Sequence, residues 1–265
     1  MAVPPEGTPC WAEAMFRDVE GVKSFYGDVL GWTFRELPTD YGRCTQACAD
    51  GRAVAAVVPP VPGQEDRSTW CVHLASPDVV ATAARIREHG GDILVEPVQA
   101  DDLGAVLLAR DPGGVVFGVW QAGTHEGFEV TGVPGAYCWA EILTRAPETS
   151  DAFFPAVFGY RAKQLDDPGV DFRLFGVGED TVLGRMRMTD AFPPGTPPFV
   201  NLYFAVEDCD ATVATATRWG AVVRSGPADS PFGRSATLGD PFGAPFSVID
   251  TGTTRGDVPK AHDVT

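Results

Sequence analysis

Short apolar runs separated by turn residues recur along the chain, interrupted by four stretches of helical period. The first run, Cys10 to Phe16, alternates in the manner of a strand, and residues 19–30 follow with apolar positions three and four apart. Strand-like runs come next at Trp32 to Leu37, Arg43 to Ala49 and Ala53 to Val58. Pro59-Pro60-Val61-Pro62-Gly63 breaks the pattern and reads as a loop. A strand at Trp70 to Ala75 and a helix from Asp78 to His89, stopped by Gly90-Gly91, lead into strands at Ile93 to Pro97, Ala105 to Ala109 and Val115 to Trp120.

The same series then repeats. Cys10-Trp11-Ala12-Glu13 returns as Cys138-Trp139-Ala140-Glu141, 128 residues later. After it come strand 137–143, helix 149–158, strands 160–165, 170–176 and 182–187, a Pro193 to Pro198 loop, strand 199–206, helix 208–219 and strands 221–224, 234–238 and 245–249. Asp111-Pro112-Gly113-Gly114 and Asp240-Pro241-Phe242-Gly243 are matching turns before each half's last strand. The boundaries this predicts are a first module over 1–123, a linker over 124–135, a second module over 136–250 and a polar, mobile tail over 251–265. Each half holds two β-α-β-β-β units. A helix between strands of one sheet covers one face, and the free face can curl around a cleft.

Composition narrows the partners. A formal net charge of −16 repels phosphate backbones, so a nucleic-acid ligand is not expected. No apolar run approaches the roughly 20 residues that cross a bilayer, and Met1 to Thr8 lacks a secretory pattern, so a cytoplasmic setting is expected. Six scattered cysteines without finger-like spacing read as reduced structural thiols.

The doubled β-α-β-β-β order, the helix exits Leu30-Gly31-Trp32 and Phe158-Gly159-Tyr160, and the Asp-Pro-x-Gly turns resemble the vicinal oxygen chelate superfamily: glyoxalase I, bleomycin-resistance proteins and extradiol dioxygenases. More narrowly, the chain resembles the two-module glyoxalase-like or hydroxylase-like members, over about residues 8–250. The resemblance implies an α+β fold of two tandem glyoxalase-like modules, each a curved mixed sheet around a cleft. It also implies metal-ligand seats on the first, fifth and eighth strands of a module. These fall on Trp11, Cys71 and Gly118, and on Trp139, Asn201 and Ser247. None is a histidine or carboxylate, whereas catalytic metals want about three such ligands, so no family-type metal is expected and a divalent ion remains the alternative.

Strand parity nominates what faces the clefts instead. Glu13 and His73 share the first with Trp11, Met15, Cys71 and Trp120; Glu141 and Tyr203 share the second with Trp139, Asn201 and Ser247. A buried carboxyl has a raised pKa, and a neighbouring imidazole or phenol could poise it for proton transfer. The competing reading makes Glu13 and Glu141 symmetric structural pins, and His73 a satisfied strand histidine. Indoles suit a planar aromatic ligand, and Arg234, in the second of two candidate closing loops (101–104 and 230–234), could meet an anionic group. The expected function is an aromatic-lined, metal-free cleft that sequesters or tailors a small aromatic metabolite, in a monomer or homodimer. The alternatives are a metal-dependent lyase, isomerase or dioxygenase with shifted ligands such as Glu13 and His73, and a non-catalytic scaffold with filled clefts.

Overall fold

The computed structural model describes residues 3–39, 42–60 and 68–264; residues 61–63 of the first proline loop lie outside them. Capping residues set where the helices begin. Asp18 accepts from the Gly21 amide ahead of α1 (Val19–Leu30), Asp78 from Val80 and Ala81 ahead of α2 (Val79–Glu88), and Asp208 from Ala211 ahead of α4 (Cys209–Arg218). α3 (Pro147–Phe158) opens on a proline instead. Gly31 and Gly159 end α1 and α3 at φ 71° and 69°, a left-handed turn that accounts for both glycine helix exits.

In the first half β1 (Pro9–Met15), β2 (Thr33–Thr39), β3 (Gly42–Ala49), β4 (Arg52–Val58), β5 (Thr69–Ala75), β6 (Asp92–Ala100), β7 (Gly104–Arg110) and β8 (Val116–Ala122) form one mixed sheet, ordered β2-β3-β4-β1-β5-β8-β7-β6. In the second, β9 (Tyr137–Thr144), β10 (Arg161–Leu165), β11 (Phe172–Val177), β12 (Asp180–Arg187), β13 (Phe199–Ala205), β14 (Val222–Ser230), β15 (Gly233–Gly239), β16 (Pro245–Asp250) and β17 (Ala261–Val264) are ordered β14-β15-β16-β13-β9-β12-β11-β10-β17. The two tandem α+β halves are therefore present. Among the described residues β17 has no counterpart in the first half: the segment expected to be a mobile tail ends by pairing with β10 along Ala162↔Val264 to Leu165↔Ala261.

The halves exchange helices. Phe25 and Tyr26 of α1 pack on Phe246 of β16, and Phe153 and Phe154 of α3 pack on Phe117 of β8. The Asp-Pro-x-Gly turns anchor this exchange. Tyr26 Oη donates to Asp240 Oδ2 at 2.8 Å, and Ser150 Oγ donates to Asp111 Oδ2 at 2.6 Å. Trp32 and Trp70 meet Phe204 across the same seam, so one apolar core serves both halves. The helix side of the second sheet also holds Arg185, 1% exposed, bonded to Asp151 of α3 and to Asp171. No helix among the described residues is long and apolar enough to cross a membrane.

Candidate functional site

Register settles which side chains share a row on the sheet faces turned away from the helices. In the first half Trp11 pairs with His73 and Glu13 with Cys71, while His73 pairs with Gly118 on β8. In the second, Trp139 pairs with Tyr203, Glu141 with Asn201, and Tyr203 with Ser247. The rows across the first, fifth and eighth strands thus read Trp11–His73–Gly118 and Trp139–Tyr203–Ser247. Cys71 and Asn201, the expected fifth-strand seats, stand one alternation along, opposite the glutamates. One imidazole between an indole and a glycine, or a phenol between an indole and a hydroxyl, does not fit a family-type metal. Among the described residues no three His, Cys, Asp or Glu side chains gather closely enough to hold an ion.

The first row is sealed. After β8 the chain hooks onto the β6–β7 turn, where the Gly123 and Thr124 amides donate to Leu103 and Asp102 carbonyls at 2.8 Å. It then folds back, with Phe128 N donating to Cys10 O at 2.7 Å and Glu129 N to Ala53 O at 2.9 Å. This places His125 against Trp11, ring centroids 4.4 Å apart and edge-on, and against Trp120, whose Nε1 donates to the His125 carbonyl at 3.0 Å. Beneath it His73 is 1% exposed, and neither ring nitrogen has a hydrogen-bond partner among the described residues. Burial and the nearby His125 hold its pKa down to about 4, so it is neutral at physiological pH. Glu13, half-buried with Met15, is pushed up to about 7 by burial, and no hydrogen bond reaches its carboxyl among the described residues. The expected pairing of Glu13 with His73 is therefore not made: the imidazole has no hydrogen-bond partner among the described residues, and the carboxyl faces the Cys71 and Cys44 thiols, whose pKa values its charge helps raise. Nothing in the sequence marks His125, since a linker carries no periodicity to show that it turns inward.

A Cβ at Gly118 would lie 2.2 Å from His73 Nδ1 and within 2.7 Å of two ring carbons, and the imidazole is 1% exposed, so the clash falls on a buried ring. Gly118→Ala is expected to cost about 1–3 kcal/mol, read as a lower denaturation midpoint in urea; an unchanged midpoint would contradict the sealed packing.

The second row is half open. Tyr203 Oη donates to Glu141 Oε2 at 2.9 Å and Trp139 Nε1 donates to Oε1 at 3.3 Å. Burial still outweighs both bonds and pushes Glu141 up to about 7. Burial, and after it the neighbouring carboxylate, raise the Tyr203 phenol well above its usual value. Asn201 and Ser247 continue the network, Asn201 Nδ2 donating to Ser247 Oγ at 2.8 Å, with Thr237 Oγ1 a further 2.8 Å on. Glu141 thus matches the pinned reading that Glu13 does not, while its near-neutral pKa leaves its proton exchangeable. Trp139, Glu141 and Tyr203 all remain partly exposed.

Trp139 also walls a cavity of about 290 Å³ where β1 and β9 begin, together with Cys10, Phe128, Tyr137, Cys138 and Val182. Phe128 and Tyr137 stack there, centroids 4.8 Å apart and planes 10° from parallel. The linker that seals the first cleft therefore furnishes a wall of the second. Cys10 and Cys138 are matched pins, their thiols donating to the His73 and Tyr203 carbonyls at 3.4 and 3.3 Å. Burial raises both to about 12, so they are inert thiols, and all six cysteines are free. Arg234 lies outside the cleft. It is one residue out of step with Ser235, and its guanidinium bonds Asp210 of α4 at 2.6 Å and Asp229 at 2.8 Å on the helix side. The two segments expected as closing loops are tight hairpin turns, β6–β7 and β14–β15.

Comparison with known proteins agrees with this architecture. Residues 11–119 match the family described as Glyoxalase/Bleomycin resistance protein/Dioxygenase superfamily, and residues 139–249 match the Glyoxalase-like domain. The anthracycline biosynthesis protein DnrV of Streptomyces peucetius is 34% identical over 258 residues, 92% of this chain and 93% of that protein. CFP32 of Mycobacterium tuberculosis, provisionally named a glyoxylase, is 34% identical over 250 residues, covering 92% and 95%. In fold, the chain is similar to the 2,3-dioxygenase LapB from Pseudomonas sp. KL28, with a TM-score of 0.65 at 14% identity, over 97% of this chain and 95% of that one. The Mn(II)-bound glyoxalase from Novosphingobium aromaticivorans gives 0.62 at 18%, over 96% and 88%. Two family matches in tandem and relatives aligned along nearly their whole length make the chain a member of the glyoxalase/bleomycin resistance protein/dioxygenase superfamily.

Proposed function

We propose that the chain takes a planar aromatic metabolite into the second half's cleft and handles its protons there with Glu141 and Tyr203, without a family-type metal. The observation that carries this reading is the asymmetry of the two clefts. His125 fills the first, while the second keeps Trp139, Glu141 and Tyr203 partly exposed beside a cavity walled by three aromatic rings. Flat apolar rings suit stacking, and a carboxyl near 7 both gives and takes a proton at neutral pH. The likeness to a protein of anthracycline biosynthesis points to polycyclic aromatics as the ligand class. Six free thiols fit a cytoplasmic setting, and a core shared by both halves fits a working monomer.

Titration with 2-hydroxyanthraquinone, followed by tryptophan quenching, tests the assignment. Trp139→Leu should weaken binding at least about tenfold, while His125→Ala in the sealed cleft leaves the affinity unchanged. Equal affinities for wild type and Trp139→Leu, or no binding by any planar aromatic, would refute it.

A further inference from the structure

A second hollow of about 240 Å³ lies farther out on the open face of the second sheet, and Thr181 lines both it and the aromatic cavity. Register shows that they share one face. Directly opposed residues project to the same side of a sheet, and Asp263, Lys163, Leu174, Gly184, Glu141 and Asn201 are opposed in turn across β17, β10, β11, β12, β9 and β13. Three strand spacings separate Lys163 from Glu141, a span of about 14 Å. The aromatic cavity alone is at the lower edge of the ~300–1,000 Å³ usual for small-molecule pockets; joined to its neighbour, it is well inside that range.

The outer hollow has a different chemistry. Arg161 and Lys163 border it with Glu179, Asp180 and Asp263. Arg161 is already paired with Glu179 at 3.2 Å, whereas Lys163, Asp180 and Asp263 form no ion pair among the described residues. Charges of both signs oppose a simple anion and a simple cation alike. A row of hydroxyls suits them better, because each hydroxyl donates to a carboxylate and accepts from an ammonium at once, in charge-assisted bonds. The last strand is part of this wall. Arg255 N bonds the Ser230 carbonyl on the β14–β15 turn, Asp166 N bonds the Lys260 carbonyl, and His262 Nδ1 lies 2.6 Å from Asp166 Oδ1, which carries Asp263 to the hollow.

Resting on the aromatic reading above, we propose that the ligand is an aromatic bearing a neutral polyol arm, an aryl glycoside in class. Its ring system lies against Trp139 and its sugar reaches Lys163, Asp180 and Asp263. Calorimetric titration of the full chain with 2-hydroxyanthraquinone and with its 2-O-glucoside tests this. The glucoside should bind at least about tenfold tighter, with little change between low and high salt. Lys163→Met and Asp263→Asn, both on exposed side chains, should each weaken the glucoside severalfold and leave the aglycone's affinity as it was. A glucoside that binds no tighter than the bare anthraquinone overturns the polyol assignment while sparing the aromatic one. Silence toward both overturns the two together.

Discussion

Arg185→Met is expected to destabilise the fold by about 3–5 kcal/mol, because it removes a buried cation and leaves the nearly buried Asp151 with one longer ion pair. The guanidinium is 1% exposed and forks onto Asp151, Nε to Oδ1 at 2.8 Å and Nη2 to Oδ2 at 2.7 Å, while Nη1 reaches Asp171 Oδ1 at 2.6 Å. Asp151 belongs to α3, so this fork ties the exchanged helix to the second sheet. After the substitution Asp151 keeps only Arg173 at 3.3 Å, and Asp171 only Arg187 at 2.7 Å. Arg185→Lys retains the charge but not the planar fork, and should lose an intermediate amount. Urea unfolding of the three proteins checks this; a loss below about 1 kcal/mol for the methionine variant would show that the cluster does not hold α3 in place.

Glu13→Gln is expected to stabilise the protein at pH 8 by about 1–3 kcal/mol and to have little effect near pH 4. Burial raises the Glu13 carboxyl from its ordinary 4.5 to about 7 in the folded chain. Between those values the folded state binds more protons than the unfolded one, so stability is complete below about pH 4.5 and falls as pH rises through 7. Two and a half pKa steps set an upper bound near 3 kcal/mol, and the partial exposure of Glu13 lowers it. Glu141 shifts in the same direction, but glutamine there also forfeits charge-assisted bonds from Tyr203 and Trp139, so Glu141→Gln should gain less. Unfolding measured from pH 4 to 9 decides the matter. A wild-type stability that rises across pH 5 to 8 would contradict the buried, near-neutral carboxyls.

Parity along the first strand of each half was enough to place Trp11, Glu13, Trp139 and Glu141 on the open faces, because alternation is a local property of a strand. The Asp-Pro-x-Gly turns were visible as repeats, yet their hydrogen bonds to Tyr26 and Ser150 join residues 214 and 39 apart and carry no local signature. For the same reason His125 and Asp263 could not be placed from the chain alone. Whether a segment without periodicity turns into a cleft, as residues 123–130 do, or lies exposed until it meets an edge strand, as 251–264 do, depends on docking surfaces that only the folded sheet supplies. Arg234 shows the limit of parity itself: one position decides the face, and the strand begins at Gly233. That Cys71 and Asn201 stand opposite the glutamates, and His73 and Tyr203 opposite the indoles, could not be foreseen, because register between strands, unlike alternation within one, cannot be read from spacing.

One cleft of the two should bind an aromatic ligand by side chains alone. Calorimetry of chelator-dialysed protein with 2-hydroxyanthraquinone tests it most directly. One ligand per chain is expected, with an affinity that added Zn²⁺, Mn²⁺ or Fe²⁺ does not change. Two ligands per chain, or binding that appears only when a metal is restored, would contradict it.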